Sequence, residues 1–359
     1  MNEFVCMTRV VSGRGSISAL KELHLQRLLL VTDPFFARNG TAEQVAQAAQ
    51  AECYEIYDRV EPDPGVTLAA EGAAKVRAFQ PDGIVALGGG SAIDCAKAML
   101  YFSGSGACLA AVPTTSGSGS EVTDFAILTH DGVKHPLVDA RLRPTMAVLD
   151  DGLLTQLPPQ LAADGGFDVL AHCLEACAAI NASPITDALA HAAFAAAYAG
   201  LPASFAGQQS ARLPVHLAAT MAGMAFTQAG LGLCHAISHS LGGAFHIPHG
   251  RLNGILLPWV MDCNTPAASR AYARLARAAG LGGSTDTLAV RNLRGGLIRL
   301  RTRLRLPASL VQAGADLALL REKQDALVEA ALADPCCRTN PVEPDARCIR
   351  QILEAARHG

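Results

Sequence analysis

No Asp, Glu, Lys or Arg stands between Leu213 and Gly250, an interval long enough that its side chains must sit in a protein interior or a bilayer. His235, His239, His246 and His249, paired glycines and Pro248 divide the run into two short helices, as a buried core would, which sets a membrane span aside. A large excess of either charge is also lacking. A net charge of −3 gives no general pull toward nucleic acid or an anionic membrane. The one basic cluster, Arg291, Arg294, Arg299, Arg301, Arg303 and Arg305, alternates with Leu293, Leu297, Leu300 and Leu304 at helical spacing and reads as the solvated side of an amphipathic helix. CxxC pairs are absent although there are eleven cysteines, an odd number, and the adjacent Cys336 and Cys337 are badly placed to bridge each other. A reducing compartment is expected. The start, MNEFVCMTRVVSGRGS, shows no charged lead into an apolar core with a small-residue cleavage site, so no export signal is read. Aromatics are few while half the chain is hydrophobic, which fits a compact, alanine-rich globular enzyme and excludes disorder.

Against this uncharged background stand Asp168 and His172 in GFDVLAHCLEA, and His235, His239 and His249 in GLCHAISHSLGGAFHIPHG. Positions four apart share a helix face, so each pair can turn two donors toward one ion, with Gly242 and Gly243 expected to bend the chain before His249. Buried imidazoles, His246 included, cost free energy without partners, and a metal satisfies several at once. A carboxylate with two or three imidazoles suits Fe(II), Zn(II), Co(II) or Ni(II), whereas Ca or Mg would require more oxygens. Cys173, Cys177 and Cys234 beside these residues read as small packing groups.

The first 150 residues alternate short aliphatic runs with helical stretches. Strands are expected at 28–32, 84–87, 109–113 and 146–149. Thr41 is expected to cap the helix TAEQVAQAAQAE, and a second helix, TLAAEGAAKVRAFQ, follows the turn EPDPG. After Pro158 and Pro159 everything reads as helix. The fold class is therefore an α/β domain around a mostly parallel sheet followed by an all-α domain, with the boundary near residue 155.

IVALGGGSAIDCAKAM is strand, glycine turn and helix in sixteen residues. Gly88, Gly89 and Gly90 allow close backbone approach, and the free N–H groups at the start of the next helix attract a diphosphate. The loop is neither a GxGxxG fingerprint, because Ile93 stands where glycine would, nor a Walker loop. A second polar loop, PTTSGSGSEVT, offers Thr114, Thr115 and Ser116 after the next strand, and two such loops at successive strand ends make a nucleotide the expected ligand. Asp33, ending LLLVTD, can accept hydrogen bonds from an adenosine ribose or cap a helix beginning at Pro34. Its spacing from the glycine loop does not decide between the two.

GGGSAID, PTTSGSGSEVT, the DxxxH of Asp168 and His172, and GLCHAISHSLGGAFHIPHG together resemble the iron-containing alcohol dehydrogenases, whose fold is shared with glycerol dehydrogenase and dehydroquinate synthase. The resemblance runs end to end. It implies an NAD-binding α/β domain over 1–155 and an all-helical metal-binding catalytic domain over 156–359, with the active site in the cleft between. It further implies Asp168, His172, His235 and His249 as metal ligands, with His239 an unligated, catalytic histidine near the substrate. Gly89, Gly90 and Ser91 match the diphosphate loop, Thr114 and Thr115 the cofactor threonines, and Asp33 the ribose-binding acid that favours NAD over NADP. The implied metal is Fe(II), which the ligand set alone does not choose over Zn(II). FVCMTRVVSGRGSISAL, RAYARLARAAG and LADPCCRTNP are similar to the propanol dehydrogenase branch of propanediol-utilisation microcompartments, and GLGLCHAISH also resembles the ethanolamine-utilisation branch. Small aldehydes and primary alcohols are the implied substrates, with a homo-oligomer and microcompartment enzymes or shell as candidate partners. The implied location is cytoplasmic, within a microcompartment for that branch. Ser118 stands where the group often has Thr, and Asp63 where many relatives have Asn.

A metal ion lowers an alcohol's pKa and nicotinamide takes the hydride, His239 relaying the proton. Rival readings fare less well. HAISH superficially resembles the zinc-protease HExxH, yet Ala236 replaces its general base. A dehydroquinate synthase-like lyase would require basic residues for an anionic substrate, and the uncharged run offers none. Maleylacetate reductase or glycerol dehydrogenase activity remains an alternative on the same fold, and a scaffold protein would not require the Asp/His set.

Overall fold

The computed structural model of the protein describes residues 3–130 and 133–358. Contacts divide it into two compact units, Cys6–Leu157 and the chain from Pro158 on, the latter including the N-terminal segment that ends at Val5.

In the first unit, six strands form a wholly parallel sheet. They are β1 (Arg9–Ser12), β2 (Arg27–Val31), β3 (Cys53–Tyr57), β4 (Gly83–Gly88), β5 (Cys108–Pro113) and, after an antiparallel hairpin of β6 (Phe125–His130) and β7 (Val133–Val138), β8 (Met146–Leu149). Their order is β1-β8-β5-β4-β2-β3. Both faces are covered. Leu29, Val31, Ile84, Ala86 and Ala111 pack on one side and Leu28, Leu30, Val85, Leu87 and Val112 on the other, so the central strands read as unbroken apolar runs. The edge strands β1 and β3 carry no such run, being half-exposed, and sequence pattern did not reveal them. Helices α1 (Pro34–Arg38), α2 (Thr41–Ala48), α3 (Val66–Phe79) and α4 (Gly90–Ser103) complete the unit. Thr41 is not the cap of α2. That position falls on Gly40 in the left-handed region, and Asn39 accepts the Thr41 N–H instead.

The second unit is all helical: α5 (Pro159–Ala178), α6 (Pro184–Phe205), α7 (Arg212–Ala229), α8 (Leu233–Phe245), α9 (His249–Ala278), α10 (Asp286–Arg303), α11 (Leu317–Glu322), α12 (Gln324–Ala333) and α13 (Ala346–His358). Buried on nearly every side, α5 packs against α6, α7 and α9. By length and composition α6 could cross a membrane, and it packs on α5 and α7. The uncharged run becomes α7 and α8, parted at residues 230–232. Gly242 and Gly243 lie inside α8 and make no bend. The turn is made by His246, whose left-handed conformation ends the helix with its N–H on the Gly242 carbonyl, and His246 is exposed rather than buried. The basic helix α10 does bury Leu293, Leu297 and Leu300, but Arg301 is buried with them and donates to the Gly254 carbonyl at 3.2 Å.

Candidate metal centre and nucleotide loops

Three helices of the second unit converge on one buried point. Asp168 and His172 lie on successive turns of α5, His235 near the start of α8, and His249 opens α9. One donor each from Asp168, His172 and His235 lies within 4.8 Å of the other two. Asp168 Oδ1 is 3.8 Å from His172 Nε2, 3.6 Å from His235 Nε2 and 3.5 Å from His249 Nε2. Ligands about 2.0–2.1 Å from a common ion stand about 3.3 Å apart in a tetrahedral site, so these separations fit a divalent ion with small adjustments. The His172 ring is stacked between Phe226 (4.3 Å) and His235 (4.6 Å), which fixes its plane.

Gly250 is what lets α9 reach α5. A Cβ there would come 1.9 Å from the Asp164 carbonyl oxygen and 3.2 Å from Asp168 Cβ. Beside it, Arg251 clasps Asp164 with two hydrogen bonds of 3.1 and 2.9 Å.

A second set of residues holds the donors. Buried Glu175 accepts from His235 Nδ1 at 2.6 Å and also from the Gly232 and Cys234 N–H groups at 2.9 and 2.6 Å, capping α8 and turning His235 Nε2 toward Asp168. Asn253 Nδ2 donates to Asp168 Oδ1 at 2.8 Å, while its Oδ1 accepts from Ser238 Oγ. Neither was foreseen from the sequence, although helix spacing held the signal, since Glu175 follows His172 by three residues and Asn253 follows His249 by four. Burial disfavours the charged form of Asp168, yet His172, His249 and His235 hold its carboxyl well below the usual range. Burial likewise opposes charge on His235, but Glu175 and Asp168 push it up to about 9. Two buried carboxylates facing imidazoles make a centre that favours positive charge, which protons or a cation can supply.

His239 stands apart from this set. Its Nδ1 is hydrogen-bonded to Asp334 Oδ2 at 2.8 Å, and its ring stacks on His249 at 5.1 Å. Nothing in sequence spacing pointed to Asp334, 95 residues on.

In the first unit, β5, β4 and β2 are neighbours, so Thr114, the glycine turn and Asp33 emerge side by side at the carboxyl edge of the sheet. Gly88 sits at φ +149°, where a Cβ would collide with Ala92 at 2.6 Å. Its carbonyl accepts the Thr114 N–H at 2.9 Å, tying the two loops together. Thr115 Oγ1 and Ser118 Oγ lie 3.1 and 2.9 Å from where Cβ atoms of Gly89 and Gly90 would be, so the turn fits against the second loop only because it lacks side chains. Asp33 does cap α1, its Oδ1 accepting from Phe35 and Phe36 N–H, while its Oδ2 faces Gly88. Asp63, at φ +53°, donates its N–H to Ser91 Oγ at 3.4 Å and pairs with Lys134 at 2.7 Å.

Lys97 was not foreseen. Fully buried on α4, it donates to Ser120 Oγ, Thr123 Oγ1 and the Thr123 and Phe125 carbonyls at 2.8–3.1 Å, pinning the end of the second loop to the helix that follows the glycine turn. Burial lowers its pKa to about 8 against the pull of Asp94 and Glu121.

Comparison with known proteins gives consistent matches. Residues 7–151 match the family model described as iron-containing alcohol dehydrogenase, and residues 162–357 the one described as Fe-containing alcohol dehydrogenase family, C-terminal. The chain is 39% identical to a 1-propanol dehydrogenase of Salmonella typhimurium, over 99% of each. The structure of an iron-containing alcohol dehydrogenase from Thermococcus thioreducens superposes with a TM-score of 0.91 at 34% identity, covering 99% of this chain and all of that one. A sulfoacetaldehyde reductase from Bifidobacterium kashiwanohense, solved in complex with NAD+, gives a TM-score of 0.88 at 26% identity over 99% and 98% of the two chains.

Proposed function

This chain belongs to the iron-containing alcohol dehydrogenase family, and on that premise we propose that it interconverts short-chain aldehydes and primary alcohols with NAD(H). The observation that carries the reading is the buried gathering of Asp168, His172 and His235 donors, with His249 beside them. In this reading Asp168, His172, His235 and His249 hold Fe(II), and Gly88, Gly89, Gly90, Ser91, Thr114, Thr115 and Asp33 receive the dinucleotide. The metal thus belongs to the helical unit and the nucleotide to the α/β unit. When bound, the ion supplies Lewis acidity toward an alcohol or carbonyl oxygen, and the nicotinamide supplies or takes a hydride.

The protein's own groups do the rest. Glu175 keeps the proton of His235 on Nδ1, leaving the Nε2 lone pair for the ion. Asp334 does the same for His239, so the proton that His239 exchanges with substrate or water is at its Nε2. Arg251, two residues after His249, has its guanidinium satisfied by Asp164, and the run from Leu213 to Gly250 brings no other charge. That supports small uncharged substrates over anionic ones. The resemblance of the N-terminal stretch to the propanediol-utilisation branch supports a place among microcompartment enzymes, to be tested by co-purification with shell proteins.

The test is steady-state NADH oxidation by anaerobically prepared iron-loaded protein. Acetaldehyde, propionaldehyde and butyraldehyde are all expected to react, each added methylene that the apolar pocket accommodates changing kcat/KM by about 1–3 kcal/mol, or about tenfold and upward. A preference on the order of several hundredfold for an anionic substrate such as maleylacetate over propionaldehyde would overturn the short-chain reading.

A further inference from the structure

His239, Asp334 and Cys336 place an imidazole nitrogen, a carboxylate oxygen and a thiol sulfur within 4.8 Å of one another, and none of the three belongs to the Asp168 set. We propose that they form a second metal site, for a thiophilic divalent ion of the Zn(II) type, whose occupation inhibits the enzyme. The parts are held in place. Asp334 Oδ1 accepts the Cys336 N–H at 2.8 Å, fixing the turn Pro335–Thr339, while its Oδ2 faces His239 Nδ1 at 2.8 Å. The side chains of His239 and Asp334 are 17% and 12% exposed, so the cluster is sheltered yet reachable. Cys337, the adjacent thiol, turns away and donates to the Ala331 carbonyl at 3.0 Å.

A proton now lies between His239 Nδ1 and Asp334 Oδ2. An ion replacing it widens that separation from 2.8 Å to about 3.3 Å, a movement of a few tenths of an ångström for each group. Imidazole, carboxylate and thiolate match Zn(II) better than they match Fe(II), and three protein ligands leave a fourth position for water. On binding, the Cys336 thiol loses its proton to solvent and the sulfur becomes a thiolate ligand; nothing is oxidised or reduced. Burial and the Asp334 charge push that thiol well above its ordinary range, so without the ion it is a neutral S–H. With the ion on Nδ1, the neutral His239 ring carries its proton on Nε2: it can accept no other there, and giving that one to an alkoxide would leave an imidazolate, so proton exchange is impeded in both directions. The inhibition therefore rests on the proton-exchange role proposed for His239, whereas the binding does not.

The experiment adds Co(II) or Zn(II) to anaerobic iron-loaded enzyme while iron content is followed. Co(II) is expected to produce a thiolate-to-cobalt charge-transfer band, and Zn(II) to slow aldehyde reduction by about tenfold or more with iron retained, reversibly on chelation. Cys336→Ser is expected to abolish the band and to weaken Zn(II) inhibition by about tenfold or more, measured against its own uninhibited rate, while Cys337→Ser keeps both. A band and inhibition that survive in C336S, or inhibition that tracks loss of iron, would overturn the site. A band lost in C336S without any inhibition would support the site and overturn the role given to His239.

Discussion

Replacing Glu175 by Gln changes one atom and should disable the metal centre. The carboxylate serves three donors: His235 Nδ1 and the Gly232 N–H share Oε2, and the Cys234 N–H takes Oε1. Glutamine has only one acceptor oxygen. If that oxygen takes the Oε2 place, the new NH2 meets the Cys234 N–H, donor against donor. If the amide is reversed, NH2 faces His235 Nδ1 and forces the imidazole proton onto Nε2, the atom that must bind the ion. Either way a buried donor is left without an acceptor, which costs about 1–3 kcal/mol. Loss of such a partner behind a metal ligand weakens metal binding about 10- to 100-fold, or about 1.4–2.7 kcal/mol. Chelator competition under anaerobic conditions reads this directly, and thermal unfolding of the metal-free protein separates it from misfolding. Metal affinity equal to wild type in a folded E175Q would refute the argument that Glu175 sets the His235 tautomer.

Other expectations follow from the same geometry. Gly250→Ala drives a methyl into the Asp164 carbonyl beside Asp168, so metal content should fall along with turnover, and unchanged metal content would show that α9 can shift freely. Lys97→Met strands four acceptors in the interior, so the protein should lose about 3 kcal/mol of stability by chemical denaturation and its KM for NADH should rise, with Lys97→Arg restoring little because the space is filled. Asp33→Asn preserves the cap of α1 but removes the charge facing the glycine turn, so the kcat/KM ratio of NADPH to NADH should rise about tenfold or more. A ratio that does not move would leave Asp33 as a cap alone.

What the sequence made legible is what local periodicity encodes. DxxxH and HxxxH place two donors on one helix face whatever the rest of the chain does, and GGGS after an apolar run forces a strand, turn and helix. The central strands could be found because both their faces are buried. The half-exposed edge strands β1 and β3 could not. Hidden from periodicity were the groups that act across long separations. Lys97 finds its acceptors 23 to 28 residues on, and Asp334 meets His239 from 95 residues away, through a helix and turn whose sequence announces nothing about a histidine. Glycine is the usual left-handed residue, yet before His249 it is His246 that adopts that conformation, and Gly242 and Gly243 stay helical. Gly250 carries the consequence that pattern could not supply. Its importance is the approach of one backbone to another, and only the packing of α9 on α5 shows that a single methyl group there would separate His249 from Asp168.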